Sequence, residues 1–209
     1  MSKEKILEAK QCVLQTSQKA FEAKLFAGTS GNLSVYLREE GLVVITPTCV
    51  RYETMTLDDI VVIDVNGNIA EGKYKPSSEW MLHCELYKSR PEAGAVVHTH
   101  SPYATAFAAA NRRIPAVLTE MVPFLGGDVP VAPVQLPGTP AVGQSAVQAI
   151  AGRNACLLGN HGAVAVGRNM DEAYIRAEYI EDAAKIALLA IQVGGGVPIP
   201  QEIEERLHG

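Results

Sequence analysis

The chain lacks any uninterrupted apolar run of about 18 residues, the length a membrane-spanning helix requires. Its first residues, Met1-Ser2-Lys3-Glu4-Lys5, lead straight into a charged amphipathic segment without the apolar core of a signal peptide. A soluble, cytoplasmic protein without membrane contact is therefore expected. Cysteine is sparse: Cys12, Cys49, Cys84 and Cys156 are scattered with no Cys-x-x-Cys pair, which argues against a disulfide framework and for reduced, mostly buried thiols. Positive charge is short too. Lys and Arg number 18 against 23 Asp and Glu, giving a net charge of -5 with the signs interspersed. That balance excludes an electrostatic footprint for nucleic acid or an anionic membrane. With no obvious arginine cluster, an anionic ligand has to be held by local neutral donors. Repeats, low-complexity tracts and interdomain linkers are absent, and 209 residues with 47% hydrophobic content suit one domain over residues 1–209.

What is present is a regular succession of elements. Ile6, Ala9, Val13, Ala20, Ala23 and Ala27 recur at helical spacing, predicting a helix from Lys3 to Ala27 that stops at Gly28. Gly28-Thr29-Ser30-Gly31-Asn32-Leu33-Ser34 reads as a loop entering a strand over Leu33 to Leu37, or as an anion nest of backbone N–H groups and short polar side chains. Leu42 to Thr46 reads as a buried strand closed by Pro47, and Asn66-Gly67 marks a hairpin turn between Val61–Asp64 and Asn68–Ala70. A helix is expected from Pro76-Ser77 to Ser89, with Ser77 or Ser78 as cap and Glu79 in the first turn. Helices are also expected over Pro102–Ala110, Thr139–Ala151, Asp171–Val193 and Gln201–His208, with strands over Ala155–Leu158 and Ala163–Val166. The long helix carries an apolar stripe of Ala173, Ala177, Ile180, Ala184, Ala187 and Ile191. Ile114 to Pro137, rich in proline and glycine, reads as an irregular segment exposing Met121, Phe124 and Leu125.

Chemistry concentrates at the histidines. In Val96-Val97-His98-Thr99-His100-Ser101 the two imidazoles stand at i and i+2 of a strand, where side chains share a face and can reach one ion. A second strand end, Leu158-Gly159-Asn160-His161-Gly162, sets His161 between glycines, which permit a sharp turn or close backbone approach. Three imidazoles with a carboxylate or water in fourth position make a catalytic zinc arrangement, and manganese, cobalt or iron can use the same ligands.

Five segments in order, Gly28-Thr29-Ser30-Gly31-Asn32, Ile45-Thr46-Pro47-Thr48, Pro76-Ser77-Ser78-Glu79, His98-Thr99-His100 and Asn160-His161-Gly162, resemble the class II aldolase/adducin family, most closely its L-fuculose-1-phosphate aldolase-like branch. The resemblance implies a three-layer α/β/α fold with a central, mainly antiparallel sheet, assembled as a homotetramer. It implies a divalent ion, zinc foremost, on His98, His100 and His161, with Glu79 as catalytic acid/base and as ligand when substrate is absent. It also implies a small phosphorylated sugar held at its phosphate by Gly31, Asn32, Thr48, Cys49, Ser77 and Ser78. The implied reaction is retro-aldol cleavage of a ketose 1-phosphate, fuculose-like or 5-deoxypentulose-like, to dihydroxyacetone phosphate and an aldehyde.

The sequence departs from the fucose branch in places. Ile114-Pro115-Ala116 is followed by Val117-Leu118-Thr119-Glu120 rather than by the branch's proton-donating tyrosine, which leaves Glu120 as a stand-in. Cys49 stands where relatives often have glycine. Met121, Phe124 and Leu125 suggest either an apolar aldehyde site or a subunit interface. The alternatives are a methylthioribulose-1-phosphate dehydratase and a pentulose-phosphate 4-epimerase, although the epimerases typically carry aspartate after the paired serines. A non-catalytic adducin-like interaction domain shares the fold but has no need of three histidines.

Overall fold

The computed structural model describes residues 3–207. Met1 and Ser2, at the expected start of the amphipathic segment, and His208, the expected end of the last helix, lie outside them. The helices are α1 (Lys3–Glu22), α2 (Trp80–Ser89), α3 (Pro102–Ala109), α4 (Met121–Leu125), α5 (Pro140–Ala149), α6 (Met170–Gln192) and α7 (Gln201–Leu207). The strands are β1 (Asn32–Leu37), β2 (Leu42–Ile45), β3 (Val61–Asp64), β4 (Ile69–Glu71), β5 (Ala95–Thr99), β6 (Val131–Ala132), β7 (Ala155–Leu158) and β8 (Gly162–Gly167). Among the described residues they form one eight-stranded sheet in the order β4-β3-β2-β1-β5-β8-β7-β6. Every neighbouring pair is antiparallel except β6 and β7.

The sheet is apolar on both faces because helices cover both. Alternation along β5 sends Val97 into the core shared with α1, α3 and α6, and Val96 into the core shared with α2 and α5. The same split separates Val44 from Val43 and Ile45 on β2, and Ala163 and Ala165 from Val164 and Val166 on β8. Burying each such valine contributes roughly 1.5–3 kcal/mol, so every strand is held in register from both sides. This is the expected three-layer α/β/α arrangement.

Four expectations need correction. The first helix ends at Glu22, not Ala27: Lys24 turns left-handed (φ 63°), and Leu25 N–H donates to the Ala20 carbonyl at 2.9 Å. This closing turn swings Leu25 and Phe26 into the core and leaves Ala23 and Ala27 exposed, as the 3.6-residue period alone does not reveal. Second, the segment from Ile114 to Pro137 contains α4 and β6. Met121 and Leu125 are fully buried and Phe124 stacks on Tyr179 (4.4 Å between ring centroids), so Met121 and Leu125 form neither an aldehyde site nor a subunit interface. Third, the α6 stripe ends at Ala187, and Ile191 is 59% exposed. Fourth, α2 begins at Trp80, three residues later than expected, with Glu79 itself at the N-cap. Of the cysteines, Cys84 and Cys156 are buried, Cys12 is half-buried and Cys49 is exposed.

Candidate metal centre

Five chain segments meet at the same end of the sheet. β1 lies beside β5, with Asn32 opposite His98, and β5 lies beside β8, with Thr99 opposite Ala163. The turn between β7 and β8 therefore rises next to the His98-Thr99-His100 corner. Its left-handed residue is Asn160 (φ 55°) rather than a flanking glycine. Gly162 has another role: a Cβ there would run into the Thr99 carbonyl oxygen, so glycine lets the two strands close and brings His161 over His98. On the far side of His100, its backbone N–H donates to the Leu25 carbonyl delivered by the turn after α1.

The three imidazoles converge. Ring centroids are 4.7 Å apart for His98 and His100, 4.8 Å for His98 and His161, and 4.9 Å for His100 and His161. Glu79 completes the group, with one ligand atom from each of the four residues lying within 4.8 Å of the others. The Glu79 carboxylate does not cap α2. It lies 2.9 Å from His98 Nε2 and 3.3 Å from His161 Nε2, and Asn32 Nδ2 donates to it at 3.3 Å.

The donor set fits a divalent cation on three grounds. His98 Nδ1 meets the Ala163 carbonyl at 2.9 Å; a carbonyl only accepts, so Nδ1 carries a proton and Nε2 is the nitrogen left to ligate an ion in the cluster. Glu79 Oε1 is buried without a hydrogen bond, although His161 is near. His100 is pushed down to about 3 by burial, helped by His98 and His161, and so stays neutral as a ligand must. Burial alone would raise the Glu79 carboxyl, but His98 and His161 outweigh it and hold the group well below the usual carboxylate range.

Beside the cluster opens a pocket of about 260 Å³. All six residues expected to hold phosphate line it: Gly31, Asn32, Thr48, Cys49, Ser77 and Ser78, together with Glu79, His100 and His161. Backbone pairing assembles it. Thr46 N–H donates to Leu33 O, Ser77 N–H to Thr46 O and Thr48 N–H to Lys75 O, drawing the ends of β1 and β2 and the approach to α2 into one wall. Gly31 is left-handed (φ 86°) and packs on the Phe26 ring so closely that a Cβ would strike it. No lysine or arginine appears in that lining. A larger apolar pocket of about 540 Å³, walled by Phe107, Leu188 and Ile191, shares none of the expected residues. Glu120 is exposed, its carboxylate accepts from the neighbouring Thr119 hydroxyl, and it lies outside the lining of the cluster's pocket.

Residues 11–188 match the family described as Class II Aldolase and Adducin N-terminal domain. The chain belongs to this family. It is 35% identical over 195 residues to a 5-deoxy-D-ribulose 1-phosphate aldolase of Bacillus thuringiensis serovar kurstaki, covering 93% of this chain and 91% of that one. An L-fuculose phosphate aldolase of Escherichia coli K12 is 37% identical over 192 residues, covering 92% and 88%. Among solved structures, an L-fuculose 1-phosphate aldolase superposes with a TM-score of 0.92 at 39% identity, covering 96% and 94%. The expected family, fold and lyase class agree with these findings.

Several lining or supporting residues escaped the sequence reading of this class II aldolase-family chain. Pro137 also lines the pocket. Tyr52 donates to the Gly31 carbonyl at 2.5 Å and packs on Phe26, holding the glycine corner. His83, wholly buried, meets Asn32 and Ser34. Its signal was the i, i+4, i+8 spacing of Glu79, His83 and Tyr87, which puts all three on one side of α2.

Proposed function

We propose that the protein is a divalent-metal-dependent aldolase that cleaves a ketose 1-phosphate to dihydroxyacetone phosphate and an aldehyde. The observation that carries this reading is the convergence of His98, His100, His161 and Glu79 within 4.8 Å, at the mouth of a pocket lined by hydroxyls, amides and backbone N–H groups. The relatives named for fuculose phosphate and 5-deoxyribulose 1-phosphate cleavage support the substrate class.

Each part of the pocket has a task. Gly31, Asn32, Thr48, Cys49, Ser77 and Ser78 hold the phosphate, a remote handle that orients the reacting carbons toward the histidines. Neutral donors suffice because backbone N–H groups and hydroxyls in a concave site are already aimed at the anion. His98, His100 and His161 would hold a divalent ion, which would supply Lewis acidity for the negative charge that builds beside the substrate's carbonyl. Glu79 moves the proton to or from the carbon that carries that charge; its Oε1 is buried, unpartnered and faces the cluster. No lysine is needed to form an imine.

We assign zinc to the cluster on its imidazole and carboxylate donors. We propose a homotetramer on the family resemblance, and a cytoplasmic location accords with buried, unbridged Cys84 and Cys156. The test is a panel of ketose 1-phosphates assayed for release of dihydroxyacetone phosphate with and without a chelator. Release that persists after thorough chelation overturns the proposal.

A further inference from the structure

His83 lies one turn beyond Glu79 on α2 and has no exposed surface. Its Nδ1 is 2.7 Å from Ser34 Oγ, and its Nε2 is 2.5 Å from Asn32 Oδ1. Asn32, 4% exposed, in turn directs Nδ2 to Glu79 Oε2 at 3.3 Å. Ser34 Oγ also lies 2.7 Å from Tyr87 Oη, which reaches the Ser34 carbonyl at 2.9 Å. A single buried chain thus runs from Tyr87 through Ser34, His83 and Asn32 to Glu79. We infer that His83 is a positioning residue that fixes which way the Asn32 amide faces, keeping its NH₂ on Glu79 and the pocket.

The argument is one of donors and acceptors. An ionised carboxylate only accepts, so the NH₂ of Asn32 must face Glu79 and the amide oxygen must face His83. That oxygen also only accepts, so His83 carries its proton on Nε2 and leaves Nδ1 bare. Nδ1 then accepts from the Ser34 hydroxyl, while the single Tyr87 hydroxyl proton, which donates to the Ser34 carbonyl, is shared with Ser34 Oγ. From Ser34 onward every proton points toward Glu79. Turning the Asn32 amide over would set its oxygen against the Glu79 carboxylate and its NH₂ against the Nε2 proton, two repulsions between groups that are all buried. Burial pushes His83 down to about 3, so the ring stays neutral with one donor and one acceptor, as the chain requires.

The consequence for turnover rests on the aldolase reading; the tautomer does not. A wandering Asn32 would lose both its donor to the carboxylate and its place in the pocket wall, and outer partners of this kind typically matter by about 10–100-fold in activity. ¹⁵N NMR of the metal-free protein, with no substrate present, is expected to show His83 as the neutral Nε2–H tautomer. The Nδ1–H tautomer, or a charged ring at neutral pH, overturns the inference. In the metal-loaded enzyme, His83→Leu is expected to keep its metal and lose about 10–100-fold in kcat with a smaller change in KM. His83→Gln, whose amide nitrogen can stand near the Nε2 position, is expected to recover most of that loss. A His83→Leu enzyme with wild-type kcat, or a Gln variant no better than Leu at equal folded fraction, also overturns it. A wild-type protein that shows the Nε2–H tautomer but cleaves no ketose phosphate refutes only the proposed function.

Discussion

His98 Nε2 stands 2.9 Å from Glu79 Oε2 and 2.9 Å from His100 Nε2, while its Nδ1 is engaged by the Ala163 carbonyl. Four ligating side chains therefore crowd one small space at the pocket mouth, and a divalent cation would draw them together. Metal is accordingly expected to stabilise the fold. At a free concentration of about 100 times the dissociation constant, zinc contributes about 2.7 kcal/mol. For a chain of this size that raises Tm by about 5–10 °C. Calorimetry of metal-free and zinc-loaded protein reads the shift directly, and identical melting curves would dismiss the cluster as a metal site. His161→Ala should abolish most of the shift.

Glu79→Gln keeps the shape of the side chain and removes its capacity to accept a proton. Three imidazoles remain, so metal content is expected to stay near wild type. Turnover should fall by about 10²–10⁴, the usual worth of a positioned general acid or base. Metal analysis beside steady-state kinetics checks both halves. An active Gln variant would remove Glu79 from the proton transfer.

Gly162 is the point at which packing and chemistry meet. Alanine there would push its Cβ into the Thr99 carbonyl, part of the strand that carries His98 and His100. Overpacking of this kind typically destabilises by about 1–3 kcal/mol. Relief requires the β7–β8 turn to lift, which moves His161 off the cluster. Gly162→Ala is expected to lower both the urea midpoint and the affinity for zinc, whereas Gly152→Ala, with open space around its Cβ, should spare the affinity. Equal zinc affinity in the two variants would contradict this account.

Much of the layered fold was legible because β5, β2 and β8 carry unbroken apolar runs, which only a sheet covered on both faces requires. The metal cluster was legible for a related reason: His98 and His100 share a strand face, and His161 sits at a glycine-marked corner. What stayed hidden depended on contacts distant in sequence. The end of α1 is a lysine in a left-handed turn, which no glycine announces. Met121 and Leu125 looked exposed because a five-residue helix in a proline- and glycine-rich stretch has too few turns to show a period. The role of Glu79 came through the family resemblance, because spacing along α2 alone cannot reveal that β1 and β5 stand in front of it.

Cys49 is exposed, left-handed (φ 59°) and on the pocket lining, with Sγ 3.6 Å from Thr48 Oγ1. Buried Cys84 and Cys156 are shielded, so alkylation by iodoacetamide is expected first at Cys49. The added group fills space proposed for phosphate, and KM for the sugar phosphate should rise with labelling. Inorganic phosphate should slow the labelling. Peptide mapping identifies the thiol, and protection by phosphate absent in a Ser77→Ala/Ser78→Ala variant would tie the effect to this wall. Labelling indifferent to phosphate in the wild type would place the anion elsewhere.

The buried ring of His83 makes a prediction about pH. Its pKa lies at about 3 in the folded protein, pushed down chiefly by burial, against about 6.5 in an unfolded chain. Between those values the unfolded state binds a proton that the folded state refuses. Stability from this ring is therefore fully present above about pH 7 and is lost as pH falls from about 6.5 toward 3, by up to about 1.4 kcal/mol per pH unit. Glu79, held below its ordinary value by His98 and His161 against the effect of burial, acts with the same sign but only at lower pH, where unfolded carboxylates take up protons. Urea unfolding of the metal-free protein at about pH 7 and about pH 5 isolates the histidine window. His83→Gln, which cannot titrate, should lose less stability than wild type across that interval, by about 1–2 kcal/mol. Parallel losses in the two proteins would mean that His83 is protonated in the fold, and the donor sequence from Tyr87 to Glu79 would then run differently.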